Sequence, residues 1–127
     1  MNLYLAGPMR GYPEFNFAAF VKAAPLLRAA GHTVFSPAER DLGGGFDPTG
    51  TTGSTQDLAE LKFDLRAALG ADLAWICGTA HGVVVLPGWQ ASRGAQAEVA
   101  TACALGLPVW EFGPFALYDT EAERVGP

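Results

Sequence analysis

Short apolar runs alternate along this chain with longer stretches whose apolar residues recur at helical spacing. Asn2-Leu3-Tyr4-Leu5-Ala6 reads as a first strand, and Gly7-Pro8-Met9-Arg10-Gly11-Tyr12-Pro13 as the loop leaving its C-terminal end. From about Phe15 to Ala30, the residues Phe17, Phe20, Val21, Ala24 and Leu27 predict a helix that Pro25 should kink or divide and Gly31 should cap. His32-Thr33-Val34-Phe35 follows as a second strand. The stretch from Glu39 to Thr55 is rich in Gly, Asp, Thr and Ser, includes Gly43-Gly44-Gly45, and is expected to be a mobile loop, in functional terms a lid. A long helix is expected from about Gln56 to Ile76, with Leu58, Leu61, Leu65, Ala68, Leu69, Leu73 and Ile76 on its apolar stripe and Lys62 and Arg66 facing elsewhere. Gly82-Val83-Val84-Val85-Leu86 is a short buried strand ended by Pro87-Gly88. Ser92 then caps a helix running to Leu105, Gly106 closes it, and Leu107 to Phe112 forms a last strand. The tail from Tyr118 to Pro127 is polar and reads as frayed or docked on a neighbour.

Strands alternating with helices imply a parallel sheet, and right-handed crossovers make a three-layer α/β domain the economical arrangement. At 127 residues, residues 1–127 form one domain, with 39–55 as its flexible loop and 118–127 as its tail. Half of the residues are hydrophobic, enough for a packed core. A net charge of −5 with eight Lys plus Arg argues against duplex nucleic acid as partner, since neutralising phosphates needs a clustered basic face; a small anionic ligand stays compatible. Cys77 and Cys103 lie in apolar segments and read as reduced core thiols. The chain opens on a strand without a basic leader and contains no membrane-length apolar run, so a cytoplasmic protein without membrane association is expected.

The candidate chemistry sits where the strand ending at Leu86 turns into the helix at Ser92. The free N–H groups and dipole of that helix end favour an anion, and ligands in open α/β sheets bind in the crevice beyond the strand ends. Gly94 and Glu98 are four residues apart and share one helical face, so the missing side chain at Gly94 leaves room for a ligand beside the Glu98 carboxylate. A capped helix carrying a solvated glutamate fits the same spacing equally well. Asp72 has two readings of equal weight. An unbroken helix brings its carboxylate to the edge of the core, where desolvation suits it to donate a proton; alternatively Gly70 ends one helix and Asp72 caps another. No Walker A ending and no dinucleotide fingerprint occur, His32 and His81 form no triad, and no zinc ligand set is evident, so neither a cofactor nor a metal is expected.

Taken together, Tyr4 to Gly11, Asp72-Leu73-Ala74-Trp75, Leu86-Pro87-Gly88-Trp89, Ser92-Arg93-Gly94-Ala95 and Glu98 resemble the nucleoside 2-deoxyribosyltransferase superfamily. The resemblance spans roughly residues 2 to 112 and is closest to a branch of phage and bacterial genomes that carries the Leu-Pro-Gly-Trp and Ser-Arg-Gly-Ala words. It implies a flavodoxin-like or Rossmann-like α/β domain with a four- to five-stranded parallel sheet flanked by helices. It also implies cleavage of the N-glycosidic bond of 2′-deoxynucleosides or their 5′-monophosphates. Glu98 matches the nucleophile, Asp72 its helper and Tyr4 the tyrosine that orients the nucleophile. Gly7, Pro8, Met9, Arg10 and Gly11 match the loop lining the base and sugar pocket, and Ser92 the serine that holds a 5′-phosphate. Trp89, Arg93 and Gly94 join them as candidate substrate contacts, with Tyr12 and Phe15 as further aromatics able to stack on a base or fill the core. The resemblance implies a homo-oligomer acting on a small nucleoside or nucleotide.

An ionised Glu98 would capture the developing oxocarbenium centre as a glycosyl ester while Asp72 protonates the departing base. Two departures from the superfamily pattern favour hydrolysis over base exchange or alter base recognition: His81 stands where many relatives have an acid, and the tail lacks the asparagine that transferases borrow from a neighbouring subunit. The expectation is a 2′-deoxynucleoside 5′-monophosphate N-hydrolase. Deoxyribosyl transfer is the alternative within enzymes, and a non-catalytic nucleotide-binding module the alternative outside them.

Overall fold

The computed structural model describes residues 1–113 and 124–125. Its sheet has the order β2-β1-β3-β4-β5, built from Asn2–Ala6 (β1), Thr33–Phe35 (β2), Gly82–Val85 (β3), Val109–Glu111 (β4) and Arg124–Val125 (β5). The first four strands are parallel, as expected, and β5 pairs antiparallel with β4. Of the predicted tail only Arg124 and Val125 are described, so whether the rest of 118–127 is frayed or docked lies outside the described residues.

Successive residues of a strand face opposite sides of the sheet, and this parity divides the core into two layers. Leu3 and Leu5 of β1 and Val84 of β3 pack with Phe17, Phe20, Ala24 and Leu27 of helix α1 (Phe17–Ala29). Tyr4, Ala6, Val83 and Val85 face the other side. There they meet Ile76 of α4 (Leu65–Gly78) and Ala95, Val99 and Ala102 of α5 (Arg93–Ala104). Both faces of β3 are therefore covered, which is why Val83-Val84-Val85 is continuously apolar rather than alternating. The chain runs outward from β1 to β2 on one side and from β3 to β4 on the other. The crevice at the C-terminal ends of β1 and β3 is thus the topological switch point.

Several expected elements are corrected. Helix α1 begins at Phe17 after a short 3-10 turn, Pro13–Asn16, in which Glu14, Phe15 and Asn16 all have positive φ. It runs unbroken through Pro25, which lies on the exposed face, where water can take the carbonyl that proline's missing N–H leaves free. Val21 is exposed rather than part of the core stripe.

The predicted mobile loop 39–55 starts inside a helix, α2 (Pro37–Gly43). Its remainder is tied down: Gly11 N–H donates to the Gly53 carbonyl at 2.7 Å, Glu14 N–H to Thr51 O at 3.0 Å, and Gly50 N–H to Glu14 Oε2 at 2.7 Å. Gly53 has φ +82°, and a Cβ there would lie 1.9 Å from the Tyr12 carbonyl oxygen, so the loop closes on the Tyr12 backbone only because this residue is glycine.

The single helix expected over 56–76 is two helices, α3 (Thr55–Glu60) and α4. Lys62 takes φ +55°, Lys62 N–H bonds Ala59 O and Phe63 N–H bonds Leu58 O, a Schellman ending with lysine in the left-handed position. Asp64 then caps α4 by accepting from Ala67 N–H. Leu61 and Leu65, assigned to the apolar stripe, are consequently exposed, and Gly70 sits inside α4 without ending it. Cys103 is partly buried, whereas Cys77 is exposed on α4 rather than a core thiol. Among the described residues no helix is long and apolar enough to cross a membrane.

Candidate active site

A cleft enclosing about 670 Å³, part of it open to solvent, lies at the switch point. Its polar floor starts from strand parity. Tyr4 points to the α4–α5 side of β1, is fully buried, and stacks on Phe35 of β2 with ring centroids 5.6 Å apart. Trp75 of α4 completes the aromatic support, 5.2 Å from Phe35 and 6.4 Å from Tyr4. On α5, Ala95, Glu98, Val99 and Ala102 fall at helical spacing on the inward face, so a carboxyl occupies a position the pattern otherwise reserves for small apolar side chains. Tyr4 Oη donates to Glu98 Oε2 at 2.6 Å, joining residues 94 apart in sequence. Asp72 is buried on α4 and faces the same pair, which settles its two sequence readings in favour of the core edge; the N-cap of α4 is Asp64.

Burial sets the electrostatics. It pushes the Glu98 carboxyl up to about 8 against the opposing Tyr4 hydrogen bond, and Asp72 beside it adds to the rise. Asp72 is raised by burial too, although Arg40 opposes the rise. Tyr4 is held far above the ordinary tyrosine value by burial and then by the two carboxyls, so it remains an O–H donor. Glu98, expected to be ionised, is thus mainly protonated at neutral pH in the free protein, because its surroundings are less able than water to solvate a second negative charge beside Asp72.

The residue that sequence reasoning missed is Arg40, on the second turn of α2. Its Nη1 pairs with Asp72 Oδ1 and also donates to Ala68 O at 3.2 Å, while Nε and Nη2 lie 3.0 and 2.9 Å from Asp41 Oδ1. Its guanidinium carbon sits 5.7 Å from the Phe35 ring centroid. The segment was read as loop, yet Ser36-Pro37-Ala38-Glu39 carries a helix-start signal, with proline at the first helical position and an acid two further on. Phe46 and Phe63 were missed as well. They form an aromatic wall with Phe15, at centroid distances of 4.9 Å (Phe46–Phe63) and 5.6 Å (Phe15–Phe46).

The other predicted positions divide. Gly7, Met9, Arg10, Ser92 and Gly94 line the cleft with Asp72 and Glu98. Gly7 also packs so closely that a Cβ would meet the Leu86 side chain at 2.8 Å, and nothing lies within 4 Å of the place where a Gly94 Cβ would project. Ser92 caps α5 as expected, accepting from Ala95 N–H at 3.2 Å. Arg10 is exposed at the mouth. Pro8, Gly11, Trp89 and Arg93 do not line the cleft. Pro8 is buried and offers its carbonyl to Asn16. Gly11 serves the backbone contact to Gly53. Trp89 packs with the core layer of Tyr4 and Val85, its indole N–H buried without a partner, and Arg93 is exposed. Tyr12 is exposed too, whereas Phe15 is both buried and on the cleft wall. No group of three or more His, Cys, Asp or Glu side chains among the described residues is placed to hold a metal.

A flavodoxin-like strand order with a tyrosine-bonded carboxyl pair at its switch point defines a small-ligand α/β protein with its polar groups at one end of an apolar cleft. The chain belongs to the family described as domain of unknown function DUF4406, whose model matches residues 1–111. Among solved structures, it is similar to the 2-deoxyribosyltransferase of Bacillus psychrosaccharolyticus, with 29% identity, a TM-score of 0.59, and coverage of 90% of this chain and 73% of that one. No curated protein matches it.

Proposed function

We propose that this protein is an enzyme that cleaves the N-glycosidic bond of 2′-deoxynucleoside 5′-monophosphates through a glycosyl ester on Glu98. The observation that carries the reading is the buried Tyr4–Glu98 hydrogen bond with Asp72 beside it, at the mouth of a helix whose first turn is open. Gly94 and Glu98 are separated by about 6 Å of helix rise, comparable to the span of a sugar ring. A 5′-phosphate at the α5 N-terminus therefore brings C1′ towards Glu98. Ser92 donates its hydroxyl there, the N–H groups of the first turn aim at the same anion, and Arg10 adds charge from across the cleft. The base lies against Phe15, Phe46 and Phe63, whose faces and edges accept any aromatic heterocycle.

In the first step the Glu98 carboxylate bonds to C1′, the C1′–N bond breaks, and the base leaves with its electron pair and a proton from Asp72. Glu98 must shed its own proton first, and Asp72 is the neighbouring acceptor. Tyr4 holds Oε2 in place and stabilises the carboxylate once formed. In the second step water attacks C1′, releases the Glu98 carboxylate and returns a proton to the pair, leaving deoxyribose 5-phosphate. Similarity to a 2-deoxyribosyltransferase supports the variant in which a second base takes the place of water.

The test is chromatography of the four deoxynucleoside 5′-monophosphates and their nucleosides after incubation with the protein and with Glu98→Ala. Free base from the native protein alone is expected, faster from monophosphates; a second base added to the mixture distinguishes exchange from hydrolysis. No release from any of the eight substrates overturns the reading.

A further inference from the structure

The cleft holds three buried carboxyl groups, Asp41, Asp72 and Glu98, and one guanidinium bonded to two of them. We propose that Arg40, clamped by Asp41, is a positioning residue that fixes the Asp72 carboxylate and decides which of the two reacting carboxyls carries the proton they share. The proposal rests on the reading of Asp72 and Glu98 as the reacting pair.

The clamp is geometric first. Of the five N–H donors of a guanidinium, one at Nε and one at Nη2 are turned to Asp41 and two at Nη1 to Asp72 and the Ala68 carbonyl. One N–H remains, too few to fork a phosphate. Arg40 is therefore committed to the protein's own acids, unlike Arg10, which is exposed and without a partner among the described residues. Phe35 stacks on Tyr4 and lies 5.7 Å from the Arg40 guanidinium carbon, so the arginine on α2 and the tyrosine on β1 share one aromatic support.

Electrostatics follows from that placement. Three buried acids facing one cation cannot all ionise at neutral pH, so at least one proton stays. The groups that face it are Tyr4 from β1, Arg40 and Asp41 from α2, Asp72 from α4 and Glu98 from α5, with Arg10 across the cleft mouth. The cation touches Asp72 and not Glu98, which stabilises charge on Asp72 and leaves the proton on Glu98 in the free protein. Reaction requires the opposite distribution, with Glu98 charged and Asp72 protonated, and the proton passes between two neighbouring carboxyls. Arg40 thereby sets how far the pair lies from its reactive form. As Asp41 shares the same guanidinium, it tunes that setting in the opposite sense.

Two substitutions with opposite expected signs test this. Carboxyl ¹³C titration of the purified protein, with Glu98→Gln and Asp72→Asn for assignment, reads the pair without turnover. The pH dependence of kcat/KM on the preferred deoxynucleotide reads it during turnover. Arg40→Met is expected to move both apparent ionisations upward by about one pH unit or more, the size expected for loss of an adjacent opposite charge. Asp41→Asn, isosteric and less demanding of the fold, should move them downward by freeing the guanidinium for Asp72. Arg40→Lys should return the ionisations only part of the way towards native values, because an ammonium keeps the charge but not the fork.

Titrations that stay in place for both Arg40→Met and Asp41→Asn, with only thermal stability changed, make Arg40 a structural ion-pair residue and overturn the proposal. Should Arg40→Met fail to fold, the downward shift in Asp41→Asn decides alone. If no deoxynucleotide is cleaved but the titrations shift as stated, the functional reading fails and the control of the pair by Arg40 stands.

Discussion

Two segments build the cleft by opposite routes. The stretch from β3 through α5 does so by regular means: a continuously apolar strand, a glycine turn, a serine cap and a helix whose inward stripe includes one acid, Glu98. The stretch from Ser36 to Asp64 supplies Arg40, Asp41, Phe46 and Phe63 through short helices, left-handed residues and side-chain caps. The periodic segment delivers the carboxyl that the proposed reaction joins to substrate, and the irregular one delivers the cation and the aromatic rings that the proposal sets around it. A helix can hold a carboxyl rigidly over a strand end. Two apolar rings and a cation converge on one cleft more readily from a folded loop, which changes direction several times within a few residues.

The largest expected effect breaks the periodic side. Glu98→Gln keeps shape and burial, so loss of base release on the order of 10⁴-fold is expected from removing a nucleophile alone. Stability should respond in the other direction, and the sign follows from linkage. The Glu98 carboxyl is raised from the ordinary 4.5 to about 8, so its contribution is fully present below about 4.5 and is lost as pH rises through about 8. The native melting temperature should fall over that window. Glu98→Gln should flatten the fall, with a residual slope from Asp72 and Asp41, which are raised in the same sense. A native curve that rises between pH 5 and 8 would contradict this burial-driven shift.

Tyr4→Phe asks how far the strand under the helix matters. The rings against Phe35 and Trp75 are kept and the O–H donated to Glu98 is lost, so kcat should drop about ten- to a hundredfold, equivalent to roughly 1.4–2.8 kcal/mol of transition-state stabilisation. KM should change little, and thermal stability by only about 1 kcal/mol, the worth of one hydrogen bond. A purely structural tyrosine would show the reverse split. Ser92→Ala is smaller still: loss of the cap costs about 1 kcal/mol of stability. If the α5 N-terminus holds the 5′-phosphate, KM should rise for monophosphates and not for nucleosides. Equal KM changes for both classes would leave Ser92 a cap and nothing more.

The difference between the two segments also explains what the sequence could show. All four parallel strands, α5 and its Ser92 cap were legible because each depends on a period or a local signal, whereas the same spacing left a buried and a solvated Glu98 equally open. Tyr4 and Glu98 could be named as partners from the family resemblance, but their contact follows from strand parity and helix phase together. Arg40 was illegible for a different reason. Its importance lies wholly in partners, of which one is adjacent and the other 32 residues away, and its helix is too short to display a period. The break between α3 and α4 was hidden because Leu58, Leu61 and Leu65 continue a helical stripe across it. Only the backbone shows that Phe63 folds back over Leu58 to end the first helix.

That break offers the mildest test of the irregular segment. Lys62 sits in the left-handed position with φ +55°, a conformation that costs a residue with a Cβ roughly 1–2 kcal/mol and glycine almost nothing. Glycine at this position is the usual solution, and its greater freedom in the unfolded chain returns part of the gain. Lys62→Gly should therefore stabilise the protein by about 0.5–1 kcal/mol, read as a shift of the denaturation midpoint with an unchanged slope. The lysine is exposed and has no partner among the described residues, so nothing else should be lost. Base release should be unchanged, because Phe63 and Leu58 stay packed against the cleft whichever residue makes the turn. Destabilisation by Lys62→Gly would mean that α3 and α4 join through a different conformation in solution. The aromatic wall, whose position depends on this turn, would then need to be placed anew.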